Sequence, residues 1–303
     1  PYLDFLSNPD IVCKSDKYGF YVGPEISYFT KYDPDDVTTP STSNVTMIGT
    51  VDEYIAFVDN VYKETKVWNV KLTADLDFSG KTDIKPIGDI NNKFNGVFDG
   101  QGHTVSNLKI IDSSSEYVGM FGALDGTAEV KNLVVDETCE IKGNKDNGNC
   151  NVGLIAFAQS ATVSNIICRA TLTTDNTNKD VSHNIGGIIA KAENVTIKNC
   201  AFTGTIYGNK EWREWNAMGG IIAMVENATG PTTISNCFVN AEISRSYSAW
   251  SQDDNAMVDM TVKPDPYIYG YAKNNAAPTV NISNVFSNEL GDSEDDGVLK
   301  IYK

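Results

Sequence analysis

At 303 residues with 41% hydrophobic residues, the chain can bury a sizeable core within one elongated domain. Its formal net charge of −16, with Arg169, Arg213 and Arg245 as its guanidinium groups, argues against nucleic acid or anionic membranes as partners. No run of 18 apolar residues offers a membrane span.

Residues 1–45 read as a non-repeat N-terminal segment and linker, rich in aromatic and acidic residues and ending Asp-Pro-Asp-Asp-Val-Thr-Thr-Pro-Ser-Thr-Ser. This arm is a candidate for self-assembly by docking on a neighbouring copy. The chain opens at Pro1 with no signal peptide, the expectation for a mature chain. Thr50 is then a helix-cap candidate, and Ile55, Phe57, Val58, Val61 and Tyr62 recur at helical spacing. A short amphipathic helix here suits the need to cover the open end of a β-stack.

From residue 46 to 290 the sequence repeats itself. An asparagine follows a short β-type run six times, at Asn107, Asn132, Asn165, Asn199, Asn236 and Asn284. Upstream of most of them lies a glycine-apolar run, such as Val152-Gly-Leu-Ile-Ala or Ile185-Gly-Gly-Ile-Ile-Ala, and downstream a third β-rich stretch such as Ala201–Tyr207. Three short strands per unit, with no room for a helix, predict an all-β fold: a right-handed parallel β-helix with a short N-terminal capping helix. Stacked side-chain amides at one bend of each coil would form an internal asparagine ladder that satisfies inward-facing backbone groups. Residues 291–303 read as a charged tail or a final strand.

The segment Val70-Lys-Leu-Thr-Ala-Asp-Leu-Asp-Phe-Ser-Gly, followed by Lys85-Pro-Ile-Gly and Phe94-Asn-Gly-Val-Phe-Asp-Gly-Gln-Gly-His-Thr-Val-Ser-Asn-Leu108, resembles the start of the β-helix in GLUG-type repeat proteins. The later Val-Gly-Met-Phe-Gly and Gly-Gly-Ile-Ile-Ala runs are similar to the glycine-rich core of those repeats. After the first copy, however, the second core glycine becomes Ala156, Ala190 and Ala223. The resemblance implies a secreted bacterial cell-surface or adhesin-like protein, located outside the cell.

Six cysteines, at 13, 139, 150, 168, 200 and 237, show no metal-ligand spacing. Stacked core thiols are one reading of Cys168, Cys200 and Cys237. A Cys200–Cys237 bridge between coils and a Cys139–Cys150 loop closure are the alternatives.

Insertions lengthen each unit after its third strand, at 142–150, 174–183, 208–215 and 244–266, and in-register stacking would gather them into one wall. Trp212, Trp215, Tyr247, Trp250, Asp253 and Asp254 lie on the last two. Flat rings beside carboxylates and amides suit carbohydrate binding, with a glycan or a surface protein as the partner; rings folded down over the solenoid flank are the plainer reading. A polysaccharide lyase or glycoside hydrolase is an alternative function, in which Asp253 or Asp254 would work with Glu211 or Glu214. A structural spacer or fibre subunit is a third. No catalytic residue is assigned. His103 is expected to make a structural hydrogen bond and His183 to be solvated. No cofactor is expected; the Asp-rich turns around Asp146 and Asp175–Asp180 could hold calcium weakly, with solvated turns as the plainer reading.

Overall fold

The computed structural model describes residues 14–16, 19–21, 45–144, 148–174, 182–208, 217–226, 230–251, 256–262, 269–273, 280–283, 285–287 and 300–302. Three sheets of stacked, predominantly parallel strands build a β-solenoid of about four turns. The first sheet climbs through Trp68–Leu72, Gly96–Asp99, Glu129–Val135 and Thr162–Cys168. The second runs through Lys109–Asp112, Glu140–Gly143, Thr171–Thr174 and Thr205–Gly208. The third contains Phe121–Leu124, Cys150–Gln159, His183–Glu193 and Ile222–Glu226. Between them runs a core of fully buried Ile, Val, Leu and Phe, continuous from Ile48 to Ile243.

The helix α1 spans Val51–Val61 and begins with a complete capping box: the Thr50 hydroxyl accepts from the Glu53 N–H, and Glu53 Oε2 accepts from the Thr50 N–H. The same carboxylate accepts from the Gly49 N–H, and these bonds hold its pKa below the usual range. Phe57 packs edge-on against Trp68 and Phe94, at ring-centroid distances of 5.3 and 6.4 Å. Tyr54, absent from the expected apolar face, is fully buried and meets Phe78 at 5.1 Å. Beyond α1, the Tyr62 hydroxyl lies 3.1 Å from the carbonyl oxygens of both Pro86 and Gly88, tying the cap to the irregular start of the solenoid.

The asparagine ladder exists, as an ordered chain of bonds with one direction. Asn236 donates to Asn199 (3.3 Å), Asn199 to Asn165 (3.0 Å), Asn165 to Asn132 (2.9 Å), and Asn132 to the Asp99 carboxylate (2.9 Å). Each of these four asparagines has φ between 52° and 59°, the left-handed region that Asn tolerates better than other side-chain-bearing residues. The residue type thus serves both the bend and the rung. Asn107 stands apart at a different corner: its amide donates to Asp77 (2.9 Å) and its N–H to Thr138 Oγ1 (2.7 Å). Asn284 lies outside the described residues.

Three other expectations change. Cys139, Cys150, Cys168, Cys200 and Cys237 are all buried free thiols, so neither proposed bridge is formed. The expected loop from Ser244 is instead a continuation of the second sheet: Glu242–Ser251 pairs antiparallel with Ala256–Val262. His183 is not solvated but 4% exposed, because it opens the third-sheet strand His183–Glu193 in register with Cys150. At the C-terminus, Lys300–Tyr302 pairs antiparallel with Val285–Ser287.

Candidate functional site

The residues singled out from the sequence fall mostly where side chains are not described. Trp212, Trp215, Asp253 and Asp254 lie outside the described residues. Tyr247 and Trp250 belong to the hairpin strand Glu242–Ser251, with backbone partners Met260 and Met257. The second-sheet strands Glu140–Gly143, Thr171–Thr174 and Thr205–Gly208 are each followed by a third-sheet strand, beginning at Cys150, His183 and Ala217; most of the residues between them lie outside the described ones. His103 Nδ1 lies 3.1 Å from Asp75 Oδ1, which also accepts from the Thr104 N–H. Among the described residues, no group of three or more His, Cys, Asp or Glu could hold a metal ion. The turns at Asp146 and Asp175–Asp180 are outside them.

What the fold does bring together lies on the third sheet. Parallel register aligns Phe157 with Lys191 and Met224, and Gln159 with Glu193. Ala192 pairs with Val225, which places Glu193 beside Glu226 on the next coil. These side chains form a connected polar row: Gln159 Nε2 donates to Glu193 Oε2 at 2.8 Å, and Lys191 Nζ meets Glu226 Oε2 at 2.6 Å. Lys93 Nζ reaches Gln159 Oε1 at 3.2 Å.

Rings sit within the row. Tyr117 and Phe157 are 5.6 Å apart, and the ammonium groups of Lys93 and Lys191 lie 5.4 and 5.9 Å from the Phe157 ring. Burial, and then the carboxylates of Glu116, Glu226 and Glu193, push the Tyr117 phenol well above its ordinary pKa, so it stays a neutral hydroxyl. At the foot of the same strands runs a second amide chain: Asn184 donates to Asn151 (2.8 Å), which donates to the Glu116 carbonyl (3.3 Å). Sequence reasoning missed the row because its members belong to four successive coils and become neighbours only through register. The recurring Ala-x-x-Glu/Gln ending of third-sheet strands, at Gln159, Glu193 and Glu226, was the available signal.

A groove of about 440 Å³ adjoins the row where Lys93 stands, between the chain leaving α1 and the turn at 89–93. Lys66 lies there with its ammonium 3.9 Å above the Trp68 ring and 2.7 Å from Glu64, and Lys93 is 3.9 Å from Asp125.

No family model matches the chain. It is similar to a segment of halomucin from Haloquadratum walsbyi, 32% identical over 134 residues, covering 41% of this chain and 1% of that protein. It is also similar to part of a protein provisionally named a Gly-rich membrane protein from Evansella cellulosilytica. That match is 34% identical over 88 residues, 27% of this chain and 10% of the relative. The chain therefore corresponds to a small fraction of the length of either relative. Among solved structures, a chain provisionally assigned as an immunoglobulin A1 protease from Bacteroides ovatus aligns with a TM-score of 0.47 and 16% identity, covering 85% of this chain and 91% of that one. No helix among the described residues is long and apolar enough to cross a membrane.

Proposed function

We propose that this chain is a module of an extracellular cell-surface protein that binds a glycan through the third sheet and the loop wall beside it. The observation carrying the reading is the row of Tyr117, Phe157, Lys191, Gln159, Glu193 and Glu226. There, half-buried carboxylates and an amide lie beside the half-buried Tyr117 ring, with Phe157 buried next to it, on in-register strands. Rings accept the apolar faces of pyranosides, while amides and carboxylates bond hydroxyl groups in fixed directions. Likeness to segments of proteins named halomucin and Gly-rich membrane protein supports a surface setting. So does the sequence resemblance to GLUG-type adhesin-like proteins, with its stacked glycine-apolar runs. Trp212, Trp215, Tyr247, Trp250, Asp253 and Asp254 belong to this proposal as a second contact region.

A glycan array probed with the parent and with the Gln159→Ala, Glu193→Ala double variant tests it. Retention by the parent and loss by the folded variant is the expected result. A Trp212→Ala, Trp215→Ala, Trp250→Ala variant reports separately on the loop wall. Capture of no glycan, or equal capture by all three proteins, would overturn the assignment. Release of shortened products would replace binding with carbohydrate cleavage.

A further inference from the structure

We infer that the groove at the capped end of the solenoid is a pocket for one neutral sugar residue, an inference that rests on the glycan reading above and assigns its ligand class.

The first reason is charge. Four charged side chains line the groove, and each is matched by an opposite partner within it: Lys66 by Glu64 at 2.7 Å and Lys93 by Asp125 at 3.9 Å. The groove offers neither a surplus ammonium for a uronate nor a surplus carboxylate for an amine. The chain's net charge of −16 adds long-range repulsion against acidic glycans.

The second reason is unspent hydrogen-bonding capacity. Asn91 and Asn95 both line the groove. The Asn91 N–H is taken by Asp89, but its side-chain amide makes no hydrogen bond among the described residues. Asn95 Oδ1 meets the Thr127 hydroxyl at 3.4 Å, which leaves its amide nitrogen open to a ligand. Two amides on a turn and a strand edge are donors and acceptors suited to hydroxyl groups.

Shape and apolar surface supply the third. Val67 and Ile90, 62% and 42% exposed, flank the opening and give the apolar contact that a sugar's C–H face requires. The volume falls within the range of small-ligand sites, about 300–1,000 Å³. The turn holding Ile90 and Asn91 is preset: Asp89 Oδ1 accepts from the N–H groups of both Asn91 (2.8 Å) and Asn92 (2.7 Å). Binding therefore orders little that is not already ordered. Lys93 lines this groove and meets Gln159 of the row, so the two adjoin.

The test uses calorimetry and side-chain amide NMR on the whole chain, with neutral gluco-, manno-, galacto- and xylo-oligosaccharides set against oligogalacturonate. The expected result is binding of a neutral oligosaccharide that shifts the Asn91 and Asn95 amide resonances. Affinity should weaken about tenfold in the Asn91→Ala, Asn95→Ala variant. Ile90→Asp, at an exposed position, should weaken it as well and guards against a misfolded double variant. Preference for oligogalacturonate would overturn the ligand class. Unshifted amides with undiminished binding by both groove variants, while Gln159→Ala, Glu193→Ala loses binding, would remove the groove and leave the glycan reading standing. Binding of no member of the panel would remove both.

Discussion

The capped end and the middle coils of this solenoid meet the same need, satisfied backbone and a filled core, by different means. At the capped end the backbone is irregular, and large rings supply the fit: Tyr54, Phe57, Trp68, Phe78 and Phe94 close the first turn beneath α1. In the middle the backbone repeats, small aliphatic side chains stack on themselves, and one amide per coil carries the bend. Gly122 marks the boundary. A Cβ there would lie 2.2 Å from the Gly88 carbonyl oxygen of the lead-in segment, whereas the register-equivalent positions in later coils hold Ala156, Ala190 and Ala223, all fully buried. The change from glycine to alanine that departs from the GLUG-type pattern follows from what lies below each coil.

This contrast can be broken first at the cap. Phe57→Ala should cost about 3–5 kcal/mol, against about 1 kcal/mol for Ile166→Val in a middle coil, both read from urea denaturation. Next is the ladder: Asn165→Ala should cost about 2–4 kcal/mol, combining left-handed backbone strain with the unpaired amides of Asn132 and Asn199. Asn165→Gly removes only the rung and should cost less; equal losses would mean that the bend needs no special residue. Gly122→Ala should cost about 1–3 kcal/mol by overpacking, while Ala156→Gly should cost at most about 1 kcal/mol.

Alkali acts on the thiols of the repeat region. Burial raises the Cys139 and Cys168 thiols to about 12 from the ordinary 9.0, so between these values the folded chain holds protons that the unfolded chain has released. Their contribution is complete below pH 9.0 and declines as pH rises towards 12, by up to about 1 kcal/mol per pH unit for each thiol. Denaturation midpoints measured on either side of pH 9.0 should fall on the alkaline side. A small effect, about 1 kcal/mol, is expected for Thr50→Ala, because the capping box is exposed and water replaces it in part.

Periodic features of the fold were legible and singular ones were not. The helix cap, the three-strand unit and the ladder all recur or follow local rules, and the structure contains them. Asn107 was misread because its sequence motif copies the others while its spacing to Asn132, 25 residues against 33, 34 and 37 later on, already set it apart. Its true partners, Asp77 and Thr138, belong to another corner. Tyr54 was not counted on the apolar face of the helix, yet its ring fills the cap. The row from Tyr117 to Glu226 could not be read at all without register, since its members are separated by about one coil each.

Hydrogen–deuterium exchange of the whole chain, with and without a glycan captured on the array, tests the central claim most directly. The account predicts new protection at 90–95, 157–159, 191–193 and 224–226, the groove and the row together. Protection confined to the second sheet's hairpin at 242–262, with these segments unchanged, would contradict it.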